Sequence, residues 1–297
     1  MSDPAPPTER RNLLTADMDS WASASIVDAL IEQDRAAIDA AASAAGALAE
    51  AVDRAVAAIA AGGSVHYFGA GASGRLAFLD ATEVGPTFSA PPEMFVSHFP
   101  GGAVALLDST IDLEDAEALG IDDAVVVGAA DFVIGISASG TTAYVRGALR
   151  SARDRGAGTA LVTSDPDAAL AELADILIAS PTGAEAVTGS TRLKAGTATK
   201  VLLNAFSTTV MIRLGATYSN LMVRMKATNA KLDRRAVRVL EMASSASIGE
   251  SERALIDARG DVPLALVHLL SGEPLERCRP ALEGGRSVRT AVDLLRG

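Results

Sequence analysis

The stretch VHYFGAGASGRLAFLDATEVGPTF, residues 65–88, runs from an apolar segment through Gly69, Gly71 and Gly74 into a helical pattern. A short apolar run bounded by glycines and followed by helical spacing predicts a strand, a tight loop and a helix. The glycines satisfy G-x-G-x-x-G, and Ser73 stands among them with Glu83 nine residues past Gly74. A dinucleotide site adds an acidic residue about 20 positions on, at the end of the second strand. Here that strand ends VSHFPGG, residues 96–102, with no acid and no P-loop lysine, so the glycines are weak evidence for a nucleotide.

Four further apolar runs repeat the strand signal: MFVSHF at 94–99, DFVIGIS at 131–137, TALVTS at 159–164 and DILIAS at 175–180. Each alternates with a helical pattern, which predicts a doubly wound α/β fold whose parallel five-stranded sheet is covered by helices on both faces. Ligands of such folds sit beyond the carboxyl ends of the strands. The aromatic content of 4% argues against an all-β architecture, and the alanine-rich tract before Gly62 and Gly63 reads as helix ended by a glycine cap. Residues 1–20 read as a polar arm with Trp21 as its docking aromatic, 21–230 as the α/β domain and 231–297 as a separate module of short helices.

The formal net charge of −11 opposes binding to nucleic acid. A single cysteine, Cys278, fits a reducing compartment and reads as a packed thiol. No uncharged run reaches the length of a membrane span and no apolar leader opens the chain, so the expectation is a cytoplasmic protein without membrane contact.

A second loop points to a small anion. The run FVIGIS leads directly into ASGTT, placing Ser137, Ser139, Gly140, Thr141 and Thr142 at the start of the next helix. Hydroxyls and unpaired N–H groups at a helix N-terminus favour negative charge, although the same residues also serve as plain helix caps. Two such loops, one with Ser73 and one with Ser137 to Thr142, suit a phosphomonoester. Arg75, Arg192 and Lys194 are the cations placed to assist. Glu83 reads as lying near the end of its helix, just before VGPTF breaks it. Glu114 lies in DLEDAEALG, where Asp112, Asp115 and Glu117 crowd it. Two carboxylates near one phosphate divide acid and base work if burial separates their pKa values; a solvated helix face is the bland reading of the same run.

Taken together, TERRN at 8–12, GAGASGRL, LDATEVGPTF, GISASGTTAYV, TGSTRLKAGTATK and NLMVRMKATNAKL resemble the N-acetylmuramic acid 6-phosphate etherases, a sugar-isomerase (SIS) domain family. The resemblance covers almost the whole chain, and its terminal helices are similar to a ubiquitin-associated-like tail. It implies cleavage of a lactyl ether from a sugar phosphate in cell-wall sugar recycling, with no metal or organic cofactor, in a homodimer with composite sites. It implies Glu83 as acid and Glu114 as base, and phosphate contacts from Ser73, Ser137, Ser139 and Thr142. A non-catalytic sugar-phosphate-binding regulator is the alternative, against which both glutamates speak. A sugar-phosphate isomerase would call for a ring-opening histidine, whereas His66, His98 and His268 read as packing histidines.

Overall fold

The computed structural model describes residues 5–225, 230–283 and 286–297, with 230–232 described by backbone alone. Part of the NLMVRMKATNAKL motif, residues 226–229, therefore lies outside the described residues, as do the first four residues of the arm. The chain divides into two compact units: Met1–Thr82 with Pro92–Ser207, and Glu83–Pro91 with Thr208–Gly297.

The first unit begins with three short 3-10 turns at Pro7–Glu9, Leu13–Thr15 and Met18–Ser20. This arm docks on residues 184–189. Thr15 Oγ1 donates to the Ala186 carbonyl at 2.7 Å, Asn12 Nδ2 to the Ala184 carbonyl at 3.3 Å, and the Gly189 N–H to the Thr8 carbonyl at 3.1 Å. Two helices follow, α1 (Ser23–Ser43) and α2 (Ala45–Ala60), separated at Ala44.

Strands β1 (Val65–Gly69), β2 (Phe95–His98), β3 (Phe132–Ile136), β4 (Gly158–Thr163) and β5 (Ile176–Ala179) form one sheet in the order β2-β1-β3-β4-β5. Every pairing is parallel, and Gly69 of β1 stands opposite Ile136 of β3. All residues of β1 and β3 are buried, which is why they read as continuous apolar runs rather than alternating ones. Because successive side chains point to opposite faces, Phe68 enters the core built by Tyr144, Val145 and Leu149 of α6 (Ala143–Asp154). Tyr67 faces the other way, toward Phe206 of α7 (Lys194–Arg213), with ring centroids 6.3 Å apart.

Helix α3 (Gly71–Phe88) leaves the end of β1, while α4 (Gly102–Leu107) and α5 (Glu117–Asp123) connect β2 to β3. Helices α5 and α6 approach closely because Gly120 and Gly147 lack side chains. A Cβ at Gly120 would collide with the Tyr144 carbonyl, and one at Gly147 with that of Glu117.

In the second unit, a hairpin of β6 (Thr217–Tyr218) and β7 (Leu221–Met222) precedes α8 (Ala230–Ser244), α9 (Ile248–Asp257), α10 (Val262–Ser271), α11 (Leu275–Leu282) and α12 (Val288–Arg296). Their apolar stripes converge on Leu240, Leu255, Leu264, Leu266, Val288 and Val292. Cys278 is buried in this core, where burial raises its thiol pKa. Among the described residues no helix is long and apolar enough to cross a membrane.

Candidate functional site

The strand order reverses direction between β1 and β3, the point where doubly wound folds of this order hold their ligands. The two loops singled out by sequence leave the carboxyl ends of those neighbouring strands.

The first loop is tight. Gly71 adopts φ +53°, and a Cβ on Gly69 would lie 2.9 Å from the Gly74 nitrogen, so strand end and helix start touch backbone to backbone. A Cβ on Gly74 would come within 2.6 Å of the Phe99 ring. The glycines thus serve close packing and a left-handed turn. Ser73 lies in the first turn of α3, half-buried, and its hydroxyl makes no hydrogen bond among the described residues.

The second loop is internally bonded. The Ser137 and Thr142 hydroxyls share a hydrogen bond of 2.8 Å, as do those of Ser139 and Thr141. Ser137 Oγ also accepts from the Gly140 N–H at 3.1 Å, and Ser139 Oγ from the Thr141 N–H at 3.3 Å. Gly140 has φ +68°, and a Cβ there would collide with Ala168. Each hydroxyl pair shares one hydrogen and so retains a second to donate outward.

Glu114 is attached to this loop through its backbone. It lies in a turn ahead of α5, not on a helix face. Its carbonyl accepts from the Tyr144 N–H, an otherwise unpaired donor in the first turn of α6, at 3.0 Å, and its own N–H donates to Asp112 Oδ1 at 3.2 Å. Although the residue is exposed, partial burial and the neighbouring Asp112 and Asp115 carboxylates raise its pKa above the ordinary glutamate value. Glu117, from the same acidic run, instead pairs with Arg150 at 2.8 Å and Arg146 at 3.6 Å.

Glu83 is exposed and belongs to the second unit. The expected helix break directly after it does not occur: α3 continues through Gly85 and Pro86 to Phe88. Proline removes one donor and crowds the carbonyl four residues back, but Pro86 sits in the last turn, where few bonds remain to be lost.

Arg75 donates to the Leu106 carbonyl at 3.1 Å and the Ala105 carbonyl at 3.4 Å and lies over the Phe99 ring. Lys194 is buried and donates to Gln33 Oε1 at 3.0 Å, which also accepts from Asn12 Nδ2 at 3.0 Å. Glu185, fully buried, accepts the Lys194 and Ala195 N–H groups at 3.0 and 2.9 Å, closing the N-terminus of α7. Burial lowers the Lys194 pKa and raises that of Glu185. Asn12, Gln33 and Glu185 were not anticipated from sequence. Arg192, two residues before α7, is exposed.

Buried Asp80 was also missed. It accepts from the Tyr67 hydroxyl at 2.9 Å and the Ser207 hydroxyl at 2.8 Å, and burial raises its pKa to about 6. The His66 and His98 rings are packed inside the first unit, 2.9 Å apart between Nδ1 and Nε2, and burial holds His98 down to about 4. His268 contacts the Glu273 carbonyl through Nδ1. Among the described residues no three His, Cys, Asp or Glu side chains are grouped to hold a metal ion.

The family model for the glucokinase regulatory protein N-terminal SIS domain matches residues 47–153, and that for the SIS domain matches 112–209. N-acetylmuramic acid 6-phosphate etherase of Thermobifida fusca is 49% identical over 265 residues, 89% of this chain and 87% of that protein. The protein of the same name from Pectobacterium atrosepticum is 44% identical over 278 residues, 93% of this chain and 92% of its own. Among solved structures, a phosphoheptose isomerase from Francisella tularensis superposes with TM-score 0.53 at 18% identity, covering 65% of this chain and all of that one. An Escherichia coli CFT073 protein in complex with A5P gives TM-score 0.50 at 20% identity, covering 67% and 97%. These two structures establish the shared fold.

Proposed function

The chain belongs to the N-acetylmuramic acid 6-phosphate etherases, and we propose that its two hydroxyl loops hold the phosphate of that sugar while Glu83 and Glu114 divide the proton transfers. The reaction is that of a carbon–oxygen lyase. The D-lactyl ether of N-acetylmuramic acid 6-phosphate is cleaved to N-acetylglucosamine 6-phosphate and D-lactate, in amino sugar recycling. The single observation that carries the conclusion is the identity of 49% across 89% of the chain.

The chemistry explains why two carboxylates in different protonation states are needed. In the open-chain sugar the C1 aldehyde acidifies the C2 hydrogen. Glu114 takes that proton, the electron pair forms the C2–C3 double bond, and the C3–O bond to lactate breaks. A lactyl alkoxide is a poor leaving group, so Glu83 supplies a proton to the departing oxygen. Water then adds across the double bond, its hydroxyl to C3 and its proton to C2. Ser73, Ser137, Ser139 and Thr142 donate to the phosphate. The tether between the Glu114 carbonyl and the Tyr144 N–H supports this reading, because it fixes the base beside the loop that holds the substrate.

The working enzyme is a homodimer with composite sites. Val27, Ile31 and Ile38 of α1 and Phe78 and Leu79 of α3 are exposed apolar side chains that a second copy would cover. Sedimentation at micromolar concentration is expected to give a dimer, and a fully active monomer would refute it. The cytoplasm, where the recycled sugar phosphate is met, is the proposed location. The match to the glucokinase regulatory protein domain favours a second reading, a binding regulator without catalysis. Incubation with N-acetylmuramic acid 6-phosphate separates the two: release of lactate is expected, and binding without release would establish the regulator.

A further inference from the structure

Of the three cations that the sequence places near the loops, two are engaged. Arg75 is tied to the Leu106 and Ala105 carbonyls and the Phe99 ring, and buried Lys194 is tied to Gln33. Arg192 is exposed and makes no hydrogen bond or ion pair among the described residues. The N–H groups at the start of α7 are taken by Glu185, so the helix terminus itself offers an anion little.

Contacts between α3 and α7 locate Arg192. Leu76 Cδ1 lies 3.9 Å from the position of a Cβ on Gly196, and one turn further on Lys200 stands close enough to Asp80 to lower its pKa. Residue 76 with 196 and residue 80 with 200 are equal four-residue steps, so the two helices run side by side in the same direction. Arg192 lies in the turn immediately ahead of α7, so this register puts it at the end of α7 that is nearest the start of α3, where Ala72 and Ser73 stand. The turn that carries it is well bonded: the Ser190 N–H donates to Val187 at 2.9 Å, the Thr191 N–H to Gly189 at 3.0 Å and the Leu193 N–H to Ser190 at 3.1 Å. A guanidinium on a bonded turn at the same end of the helix pair as a serine hydroxyl that has no partner among the described residues is suited to take an oxyanion by its planar fork.

We propose that Arg192 is a substrate-binding cation that donates to the sugar phosphate beside Ser73, supplementing the neutral donors of the two loops. The proposal rests on the etherase reading. Two oxyanions of that substrate are available, the phosphate and the lactyl carboxylate, and the position at the Ser73 end of the helix pair selects the phosphate.

The test compares the full-length wild type with Arg192→Ala and Arg192→Lys. It measures KM and kcat for N-acetylmuramic acid 6-phosphate, together with calorimetric binding of N-acetylglucosamine 6-phosphate, which keeps the phosphate and lacks the lactyl group. Arg192→Ala is expected to weaken both ligands by a matched factor of roughly 10 to 100, with kcat less affected, and Arg192→Lys to recover part of the loss. A raised KM with unchanged binding of the lactate-free sugar would put Arg192 on the carboxylate and overturn the assignment. Unchanged values for both ligands would remove Arg192 from the site. If the wild type released no lactate, the etherase reading would fall, while the calorimetric arm would still decide whether Arg192 binds the phosphate.

Discussion

After β1 the chain presents Ser73, whose hydroxyl has no partner among the described residues, and after β3 it presents four hydroxyls bonded to one another in two pairs. Each loop also has its glutamate, but they are attached differently. Glu83 lies on α3, the helix whose first turn carries Ser73. Glu114 comes from a separate turn and is joined to α6 by a single backbone hydrogen bond to Tyr144. The first arm is one continuous stretch of chain, whereas the second depends on hydrogen bonds that substitution can loosen. Damage to the second arm should therefore spread between binding and catalysis, whereas damage to the first should stay local.

The largest expected effect comes from removing the carboxylates. Glu114→Gln is expected to abolish both exchange of the C2 hydrogen with solvent deuterium and lactate release. Glu83→Gln keeps the proposed base, Glu114, so exchange should persist while lactate release falls by roughly 10²–10⁴-fold. Exchange retained only in Glu114→Gln would reverse the roles, and full lactate release by either mutant would take that residue out of the mechanism. Because the Glu114 pKa is raised by partial burial and its aspartate neighbours, activity of the wild type should fall on the acid side at a pH above the ordinary glutamate value.

The helices of the two arms are also fastened by different means, and pH tells them apart. Helix α3 is held to β1 and α7 through Asp80, whereas α6 is held to α5 through the glycine contacts at 120 and 147 and the Tyr144 hydroxyl, which donates to Asp123 at 2.7 Å. The folded pKa of Asp80, about 6, exceeds its ordinary value of 3.8, so the native state holds this proton more tightly than the unfolded chain does. The resulting stability is complete below the lower value and is lost as pH rises through the higher one, by at most about 3 kcal/mol. Asp80→Asn should remove that dependence. The difference in unfolding free energy between wild type and mutant should therefore change between pH 4 and pH 7 by about 2 kcal/mol, and a constant difference would show that Asp80 carries no shifted proton. Gly120→Ala, in contrast, should destabilise by about 1–3 kcal/mol at every pH, because a steric overlap does not titrate.

The central strands β1 and β3 were legible because a strand buried on both faces is apolar along its whole length, and their runs led directly into glycine or serine; the outer strands β2 and β5 are only partly buried and were read from shorter apolar runs. The loops were legible for the same reason: their hydroxyls directly follow those runs. What sequence could not supply were partners far apart in the chain. Lys194 meets Gln33 across 161 positions, Asn12 meets Ala184 across 172, and Ser207 meets Asp80 across 127, separations on which helical and strand periodicity carry no information. Pro86 misled for a local reason, since a proline in a last turn resembles one just beyond it. The acidic run at 112–117 resembled a helix face, yet Asp112 bonds to the Glu114 N–H and bends that segment into a turn.

The smallest effect is the most direct test of the difference between the loops. Ser73 has no partner among the described residues, so Ser73→Ala removes only the proposed donor to the phosphate; KM should rise by the equivalent of about 1.5–3 kcal/mol with the melting temperature unchanged. Ser139 shares its hydrogen with Thr141, so in Ser139→Ala the freed Thr141 hydroxyl can turn toward the ligand and replace part of what is lost. The rise in KM should accordingly be smaller, about 1 kcal/mol. The double mutant Ser139→Ala with Thr141→Val removes the substitute, and its KM should exceed the product of the two single effects. If Ser139→Ala alone proved as damaging as Ser73→Ala, Thr141 could not stand in for it, and the hydroxyl pairs would be fixed donors like Ser73 rather than a network that redistributes.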